Sequence, residues 1–209
     1  MILNASCSGC NQPGVVLCRR CRFALAAGSS QVGAGGVHAP LAFEGVARQV
    51  VHGLKFRNRR GVAEHLARLI VGRLRLHGPA FDLVSWAPTS GTRARRRGYD
   101  QAELLARAVA HELGLPCRRL LYRRHGEAQA GHTRIERLSG PQFRARAGRR
   151  RLRVLLVDDV VTTGATRAAA RSALADAGVA EVVCVAAAAT PTHTRQSVKP
   201  AQRRIWVTA

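Results

Sequence analysis

A stretch of thirteen residues, VLLVDDVVTTGAT at Val154–Thr166, restricts the fold more than any other part of the chain. Val154–Val157 is an uninterrupted apolar run, which predicts a strand buried on both faces of a parallel sheet. Asp158 and Asp159 follow at the carboxyl end of that strand, the edge at which open α/β sheets bind ligands. The alanine-rich residues that come next predict a helix ending at Gly178, whose first amide groups point into the turn. The sequence therefore predicts an α/β fold with an anion site at one edge of its sheet.

The two halves of this motif suit different parts of one small molecule. Neighbouring carboxylates accept hydrogen bonds from paired ribose hydroxyls but repel a phosphate, whereas threonine hydroxyls and exposed amides donate to phosphate oxygens. Together they indicate a site for ribose 5-phosphate. The alternative is an ordinary strand–turn–helix unit whose acids lie at a solvated strand end. The ribose-binding candidates are Asp158 and Asp159, and the 5-phosphate candidates are Thr162, Thr163, Gly164, Ala165 and Thr166.

The same motif resembles the signature of phosphoribosyltransferases, a hydrophobic strand, two acids and a T-T/S-G-x-T loop that holds the 5-phosphate of phosphoribosyl pyrophosphate (PRPP). A second block, RRRGYDQAELLA at Arg95–Ala106, is similar to the R-R-G-F-N-Q-A-E-L-L-A block of ComF family proteins. Tyr99 stands there for phenylalanine and Asp100 for asparagine. The resemblance implies a type I phosphoribosyltransferase-like parallel sheet flanked by helices, an N-terminal zinc knuckle and an association with DNA uptake in competent bacteria. Shorter matches lie at Gly53–Phe56, Gln129–Gly131 and Arg134–Arg137.

Four of the six cysteines form the pattern Cys7-x2-Cys10-x7-Cys18-x2-Cys21. Two C-x2-C pairs place four thiolates on two tight turns, which suits tetrahedral zinc, and the segment is too short to build a core without a metal. Disulfides are the competing interpretation, disfavoured by the close spacing and by the lack of an export signal. A closed shell of four thiolates has no position for a catalytic water, so the zinc is predicted to be structural. The other two cysteines are predicted to be ordinary, buried or partly buried thiols.

Charge is the feature of composition that bears most on partners. The chain has 34 basic and 12 acidic residues, a net charge of +22, and almost all of its basic residues are arginine. Arginine suits bidentate contact with phosphate, so a polyanion such as single-stranded DNA is an expected partner. A GC-rich coding sequence is the alternative explanation of arginine over lysine, but it explains the scarcity of acids less readily. Because no apolar span is long enough to cross a bilayer, we expect no membrane insertion and a cytoplasmic location.

Three regions are predicted along the chain: a zinc-binding knuckle at 1–27, a linker rich in glycine and serine at 28–40, and a phosphoribosyltransferase-like domain at 41–209. Within the domain, hydrophobic periodicity predicts helices around Val46–Leu54 and at Gly61–Leu76 and Asp100–Leu113, besides the helix after Thr166. Strands are predicted at Phe81–Ala87, Leu152–Val157 and Val182–Ala189, a turn at Pro88–Arg97, a mobile tail at Thr190–Gln202 and an edge strand at Arg204–Thr208.

The resemblance also assigns the diphosphate end of PRPP. It places the diphosphate in the turn at Pro88–Arg97, together with Mg²⁺, and implies that the irregular stretch Arg118–Arg151 is a loop that closes over it. A solvated basic loop is an equally good interpretation of that stretch. Loss of pyrophosphate from an oxocarbenium-like ribose needs electrostatic stabilisation rather than acid–base chemistry, so no general base is assigned. The diphosphate-binding candidates are Pro88, Thr89, Ser90, Arg93, Arg97 and Lys55.

Three classes of function remain open on the sequence. The first is a protein that binds PRPP or a nucleotide and transfers the phosphoribosyl group to an acceptor that the sequence does not indicate. The second is a protein of natural competence that handles single-stranded DNA, in company with a competence helicase, and catalyses nothing. The third is an inactive sensor of PRPP. With an aromatic content of only 4%, the sequence identifies no pocket for an acceptor base.

Overall fold

The computed structural model of the chain describes residues 6–28, 31–33, 36–74, 80–123, 141–146 and 151–191. The elements within these ranges are, in chain order, α1 (Arg19–Ala26), β1 (Gln31–Gly33), β2 (Val37–Ala39), β3 (Leu41–Ala42), α2 (Gly45–Phe56), α3 (Val62–Leu74), β4 (Leu83–Trp86), α4 (Gly91–Arg97), α5 (Gln101–Leu113), β5 (Leu121–Arg123), β6 (Phe143–Ala145), β7 (Arg153–Val161), α6 (Ala165–Asp176) and β8 (Glu181–Ala189).

A largely parallel sheet with the order β1-β2-β8-β7-β4 forms the centre of the molecule, and β3 also pairs with β8. The strand β7 pairs in parallel with β4, where Leu83 lies opposite Val154, and with β8, where Arg153 lies opposite Glu181. Because β7 has a neighbour on each side and helices on both faces, its apolar run Val154–Val157 is buried throughout. The predicted central strand is confirmed.

The side-chain alternation of β7 divides the core into two layers. Leu155 and Val157 belong to the cluster that also contains the buried faces of α2, α3 and α5. Val154 and Leu156 belong to a second cluster with α6 and with the separate antiparallel pair β5–β6. The predicted fold class, a parallel sheet flanked by helices, is therefore confirmed.

The four-cysteine segment packs against the same core. Cys7, Leu17 and Leu25 are buried in the cluster that contains α2 and α3. Arg59, which follows α2, donates hydrogen bonds to the carbonyl oxygen of Cys7 and to the hydroxyl of Ser6. A segment of this size has too little apolar surface for a core of its own, and the larger domain supplies the missing packing.

Part of the predicted linker at 28–40 is instead sheet. Its described residues include β1 and β2, which pair with each other, and His38 of β2 lies opposite Val185 of β8. Val37 and Ala39 are buried while His38 is exposed, an alternation typical of a strand that the surrounding glycines and serines obscured. Residues 31–33 and 37–39 are thus strands that extend the sheet rather than a free connection.

Three other segments differ from expectation. The predicted turn Pro88–Arg97 contains the helix α4, since alanine and arginine are good helix formers. The strand β7 continues to Val161 because its ladder with β8 runs on, so Asp158 and Asp159 lie inside the strand rather than after it. The stretch Arg118–Arg151, predicted to be irregular, contributes the pair β5–β6.

Some expectations fall on residues outside the described ranges. They are residues 124–140 and 147–150 of the predicted closing loop, residues 192–202 of the predicted tail and the edge strand at 204–208. Among the helices that the structure describes, none has both the length and the apolar character needed to cross a membrane.

Candidate functional site

A cavity of about 450 Å³ opens at the carboxyl ends of β4 and β7, as predicted for a ligand site of an open α/β sheet. The two strands meet there because Trp86, the last residue of β4, pairs with Val157, the residue before the two acids. The predicted site residues that line the cavity are Lys55, Pro88, Thr89, Arg93, Arg97, Asp158, Asp159 and Thr166.

The two acids of the motif are held differently. Asp159 is 6% exposed, and its Oδ1 lies 2.8 Å from Nζ of Lys55 in the last turn of α2. Asp158 is half-buried, and its Oδ1 accepts a hydrogen bond of 2.8 Å from the amide of Asp159. Burial, followed by the negative charge of Asp159, raises the pKa of Asp158 to about 8. The cavity therefore contains one ion pair beside a carboxyl group that holds its proton more strongly than an ordinary aspartate.

The turn that follows β7 ends at a glycine that begins the next helix. Gly164 has φ 78°, a left-handed conformation that favours glycine, and is the N-cap residue of α6. The hydroxyl of Thr163 accepts a weak hydrogen bond of 3.5 Å from the amide of Ala165, the first residue of α6. Of the five 5-phosphate candidates only Thr166 lines the cavity; Thr162, Thr163, Gly164 and Ala165 form the turn and helix start immediately before it.

On the opposite wall, Asp100 fixes the loop after β4. Its Oδ2 accepts from the amide of Thr89 at 2.9 Å, and its Oδ1 accepts from the amide of Ala102 at 3.0 Å, which caps α5. Burial raises the pKa of Asp100, an effect that these amide donors partly offset. The asparagine usual at this position in ComF proteins has one acceptor oxygen and could not accept both bonds through separate oxygens. Ser90, a predicted diphosphate ligand, is the N-cap residue of α4 and does not line the cavity.

Seven residues that the sequence analysis did not assign to the site also line the cavity: the small or apolar Ala87, Ala102 and Val160, and the aromatic or polar Phe56, Arg96, Gln101 and Arg123. The guanidinium of Arg97 lies 4.7 Å from the ring centroid of Phe56 and donates a hydrogen bond of 2.8 Å to Oε1 of Gln101. Arg96 and Gln101 stand inside the motif block and could have been found by their proximity to Arg97. Arg123 comes from β5, and nothing in its local sequence indicated a place in the site.

The four cysteines of the N-terminal pattern form a compact cluster in which all Sγ atoms lie within 4.8 Å of one another. The Sγ atoms of Cys10 and Cys18 are 3.7 Å apart, close to the edge of about 3.8 Å expected for tetrahedral zinc with Zn–S bonds of about 2.3 Å. A Cβ at Gly9 would lie 2.7 Å from Sγ of Cys21, so this turn requires glycine. The residue types, number and spacing fit a structural zinc ion.

Main-chain amides support one thiolate of this cluster. The amide of Cys18 donates to Sγ of Cys7 at 3.3 Å. Burial alone would raise the pKa of Cys7, but backbone amide donors, with Cys18 foremost, outweigh it and lower the pKa to about 6. A thiol that loses its proton below neutral pH is a ready metal ligand.

A family model described as "Phosphoribosyl transferase domain" matches residues 99–206, about half of the chain. The chain therefore belongs to the phosphoribosyl transferase domain family. Within it, the motif blocks, the cysteine cluster and the relatives below confirm the resemblance to ComF proteins.

Two curated relatives carry the name "DNA utilization protein YhgH". The protein from Salmonella typhi is 34% identical over 142 residues, which are 64% of this chain and 63% of the relative. The protein from Salmonella typhimurium is 32% identical over 142 residues, with the same coverage. The match thus spans less than two thirds of these relatives. Among solved structures, glutamine phosphoribosylpyrophosphate amidotransferase from B. subtilis is 21% identical with a TM-score of 0.43, covering 61% of this chain and 26% of its own.

Proposed function

We propose that the cavity binds PRPP together with Mg²⁺ and that the protein transfers the phosphoribosyl group to an acceptor. The observation that carries the proposal is the meeting, around one cavity, of two acids on β7, a helix start and an arginine-rich wall that contains Arg93 and Arg97. PRPP is a sugar with an anionic group at each end. A site for it needs hydrogen-bond donors at both ends and acceptors for the ribose hydroxyls between them.

Each part of the cavity has a distinct task in this proposal. The turn before α6, with Thr166, holds the 5-phosphate, because its amides and hydroxyls donate to phosphate oxygens. Asp158 and Asp159 accept from the ribose hydroxyls. Arg93 and Arg97 attract the diphosphate, to which Lys55 adds charge if it leaves Asp159. Mg²⁺, when bound, would neutralise part of the diphosphate charge.

The proposed reaction is a substitution at C1 of the ribose. The bond from C1 to the pyrophosphate oxygen breaks and its electron pair leaves with pyrophosphate, while the acceptor's lone pair forms the new bond to C1. A proton displaced from the acceptor passes to water. The arginines of α4 stabilise the leaving group without moving, since they are already placed around the cavity.

Calorimetry with PRPP and Mg²⁺ tests the binding step. We expect wild-type protein to bind and the Asp158→Asn/Asp159→Asn double variant to lose binding. Asp176→Asn, an exposed acid at the far end of α6, is the matched control and should bind like wild type. Unchanged affinity in the double variant would refute the proposed site. Release of pyrophosphate in a screen of bases and amines tests transfer separately.

We also propose that the four-cysteine cluster binds one structural zinc ion. Its support is the spacing of the sulfur atoms, and metal analysis of the purified protein is the test. About one zinc per chain is expected. A value well below one after reconstitution would contradict the site.

Handling of single-stranded DNA is the second candidate function. A net charge of +22 and relatives named for DNA utilization favour it, and a competence helicase would be a natural companion in a cytoplasmic DNA-uptake pathway. The affinity of the protein for a single-stranded oligonucleotide should fall steeply as the salt concentration rises, because each phosphate contact releases counterions. An affinity that does not change with salt concentration would exclude DNA binding as the role of the positive charge.

A further inference from the structure

A second cavity, of about 640 Å³, lies on the other side of α4 from the candidate site. Its walls come from α4, from the connection between α4 and α5, from the first turn of α5, and from β5 with the residues that precede it. Thr89 and Arg123 line both cavities, so the two spaces are neighbours separated by these side chains. The proposed function gives this second cavity no task.

The charges of the second cavity favour an anion. Both of its acids already have partners: Asp100 accepts from two main-chain amides, and Glu103 pairs with Arg107 at 2.7 Å. Its three arginines, Arg95, Arg119 and Arg123, have no carboxylate partner among the residues that the structure describes. Positive charge that is not neutralised nearby attracts phosphate.

The same cavity also offers a surface for a planar ring. Tyr122 is 39% exposed, and the guanidinium of Arg119 lies 4.8 Å from the centroid of its ring. Arg119 is itself held by a hydrogen bond of 3.3 Å from its Nε to the carbonyl oxygen of Leu121. Because Tyr122 keeps this exposure with Arg119 beside its ring, an aromatic base can stack on the tyrosine–arginine pair.

We propose that this second cavity binds a nucleotide unit, with its base against Tyr122 and Arg119 and its phosphate near Arg95 and Arg123. Phosphate contact and base stacking together are the recognition mode of proteins that bind single strands without reading their sequence. The unit comes either from a free nucleotide or from a single strand. Since Arg123 and Thr89 also line the candidate PRPP site, the bound unit lies beside that site.

Fluorescence anisotropy of a labelled oligothymidylate, without PRPP or Mg²⁺, tests the proposal on the full chain. Tyr122→Ala should lower affinity by about 10-fold, the scale of one base stack, whereas Tyr122→Phe should retain it. Arg95→Gln/Arg119→Gln should lower affinity and reduce the slope of log K against log salt by about 0.7 for each phosphate that the variant no longer binds. Arg20→Gln/Arg73→Gln, which removes two exposed arginines on α1 and α3 that line neither cavity, is the charge-matched control and should bind like wild type. Wild-type affinity in Tyr122→Ala, or an equal fall in affinity in the control, would overturn the proposal.

Two further arms identify the source of the nucleotide and separate this proposal from the proposed function. Competition by thymidine 5′-monophosphate at low concentration indicates a free nucleotide, and competition by unlabelled oligonucleotide alone indicates a strand. The Asp158→Asn/Asp159→Asn variant should keep its affinity for the oligonucleotide even where it no longer binds PRPP. A parallel loss of affinity for both ligands in that variant would show that only one site exists.

Discussion

The cysteine cluster and the cavity at the sheet edge are assembled in opposite ways. All four sulfur atoms come from the span Cys7–Cys21, and the turns between them set the geometry. The cavity draws on residues from Lys55 to Thr166, contributed by α2, the loop after β4, α4, α5, β5, β7 and α6. Local spacing therefore suffices to predict the first site, while the second exists only once the sheet and its helices have packed.

Loss of a cysteine ligand is expected to have the largest effect. Cys7→Ser leaves three thiolates at a site whose metal affinity contributes directly to folding, and Cys7 is also fully buried against the main core. We expect loss of zinc and a fall in Tm of more than about 10 °C, measured by metal analysis and thermal unfolding. Cys117→Ser, outside the cluster, should keep its zinc. Full zinc content in Cys7→Ser would contradict the site.

The pH dependence of stability tests whether the cavity perturbs the carboxyl group of Asp158. The pKa of Asp158 rises from 3.8 to about 8 on folding, so the folded chain holds a proton that the unfolded chain releases. The contribution of the Asp158 carboxyl to the free energy of unfolding is fully present below about pH 4 and is lost as pH rises towards about 8. The free energy of unfolding of the wild type, relative to that of Asp158→Asn, should therefore fall as pH rises over this range. The expected fall is a few kcal/mol in total, at about 1.4 kcal/mol per pH unit.

Urea unfolding of both proteins at several pH values measures this difference. The groups around Asp158, which are Asp159, Lys55 and Asp100, are present in both proteins, so their own titration largely cancels in the comparison. Parallel curves for wild type and Asp158→Asn would show that the Asp158 carboxyl is not perturbed.

A pair of glycines tests whether the cysteine segment is coupled to the domain. At Gly53 of α2 an added Cβ would lie 3.2 Å from Cβ of Ser8, which is fully buried next to Cys7. At Gly72 of α3 an added Cβ has no neighbour within 4 Å. Gly72→Ala should stabilise the protein by up to about 1 kcal/mol through helix propensity. Gly53→Ala should instead destabilise it by about 1–2 kcal/mol in urea unfolding.

Stabilisation by Gly53→Ala equal to that by Gly72→Ala would mean that Ser8 yields easily and that the cysteine segment is only loosely attached. The contact with Ser8 would then not explain why the segment Gly53–Phe56 begins with glycine.

The smallest effect is expected at the end of the sheet remote from the cavity. Arg153 and Glu181 form an ion pair of 2.9 Å between β7 and β8, with exposed side-chain fractions of 41% and 45%. Glu181→Gln should change the free energy of unfolding by less than about 1 kcal/mol, because exposed pairs are weak. A larger change would show that this end of β7 is as sensitive to charge as the cavity end.

The sequence predicted the fold class, the central strand and the main helices, because the helices have a clear hydrophobic period and the central strand is an uninterrupted apolar run. It also placed most of the cavity's polar residues, since strand ends of a parallel sheet meet at one edge. It did not predict the Lys55–Asp159 ion pair, or that Asp100 reaches the amide of Thr89, because both contacts depend on side-chain directions. The strands β1 and β2 were missed because glycine and serine surround them.

By itself, the sequence determined the cysteine cluster, the buried strand and the turn after it, since these depend on residues adjacent in the chain. Only the tertiary structure decided which arginines share a cavity, that Arg123 joins them from β5, and that a second cavity with Tyr122 lies beside the first. The physical reason is that backbone periodicity and turn geometry act over a few residues. The positions of distant side chains are fixed only when the sheet and helices pack into one core.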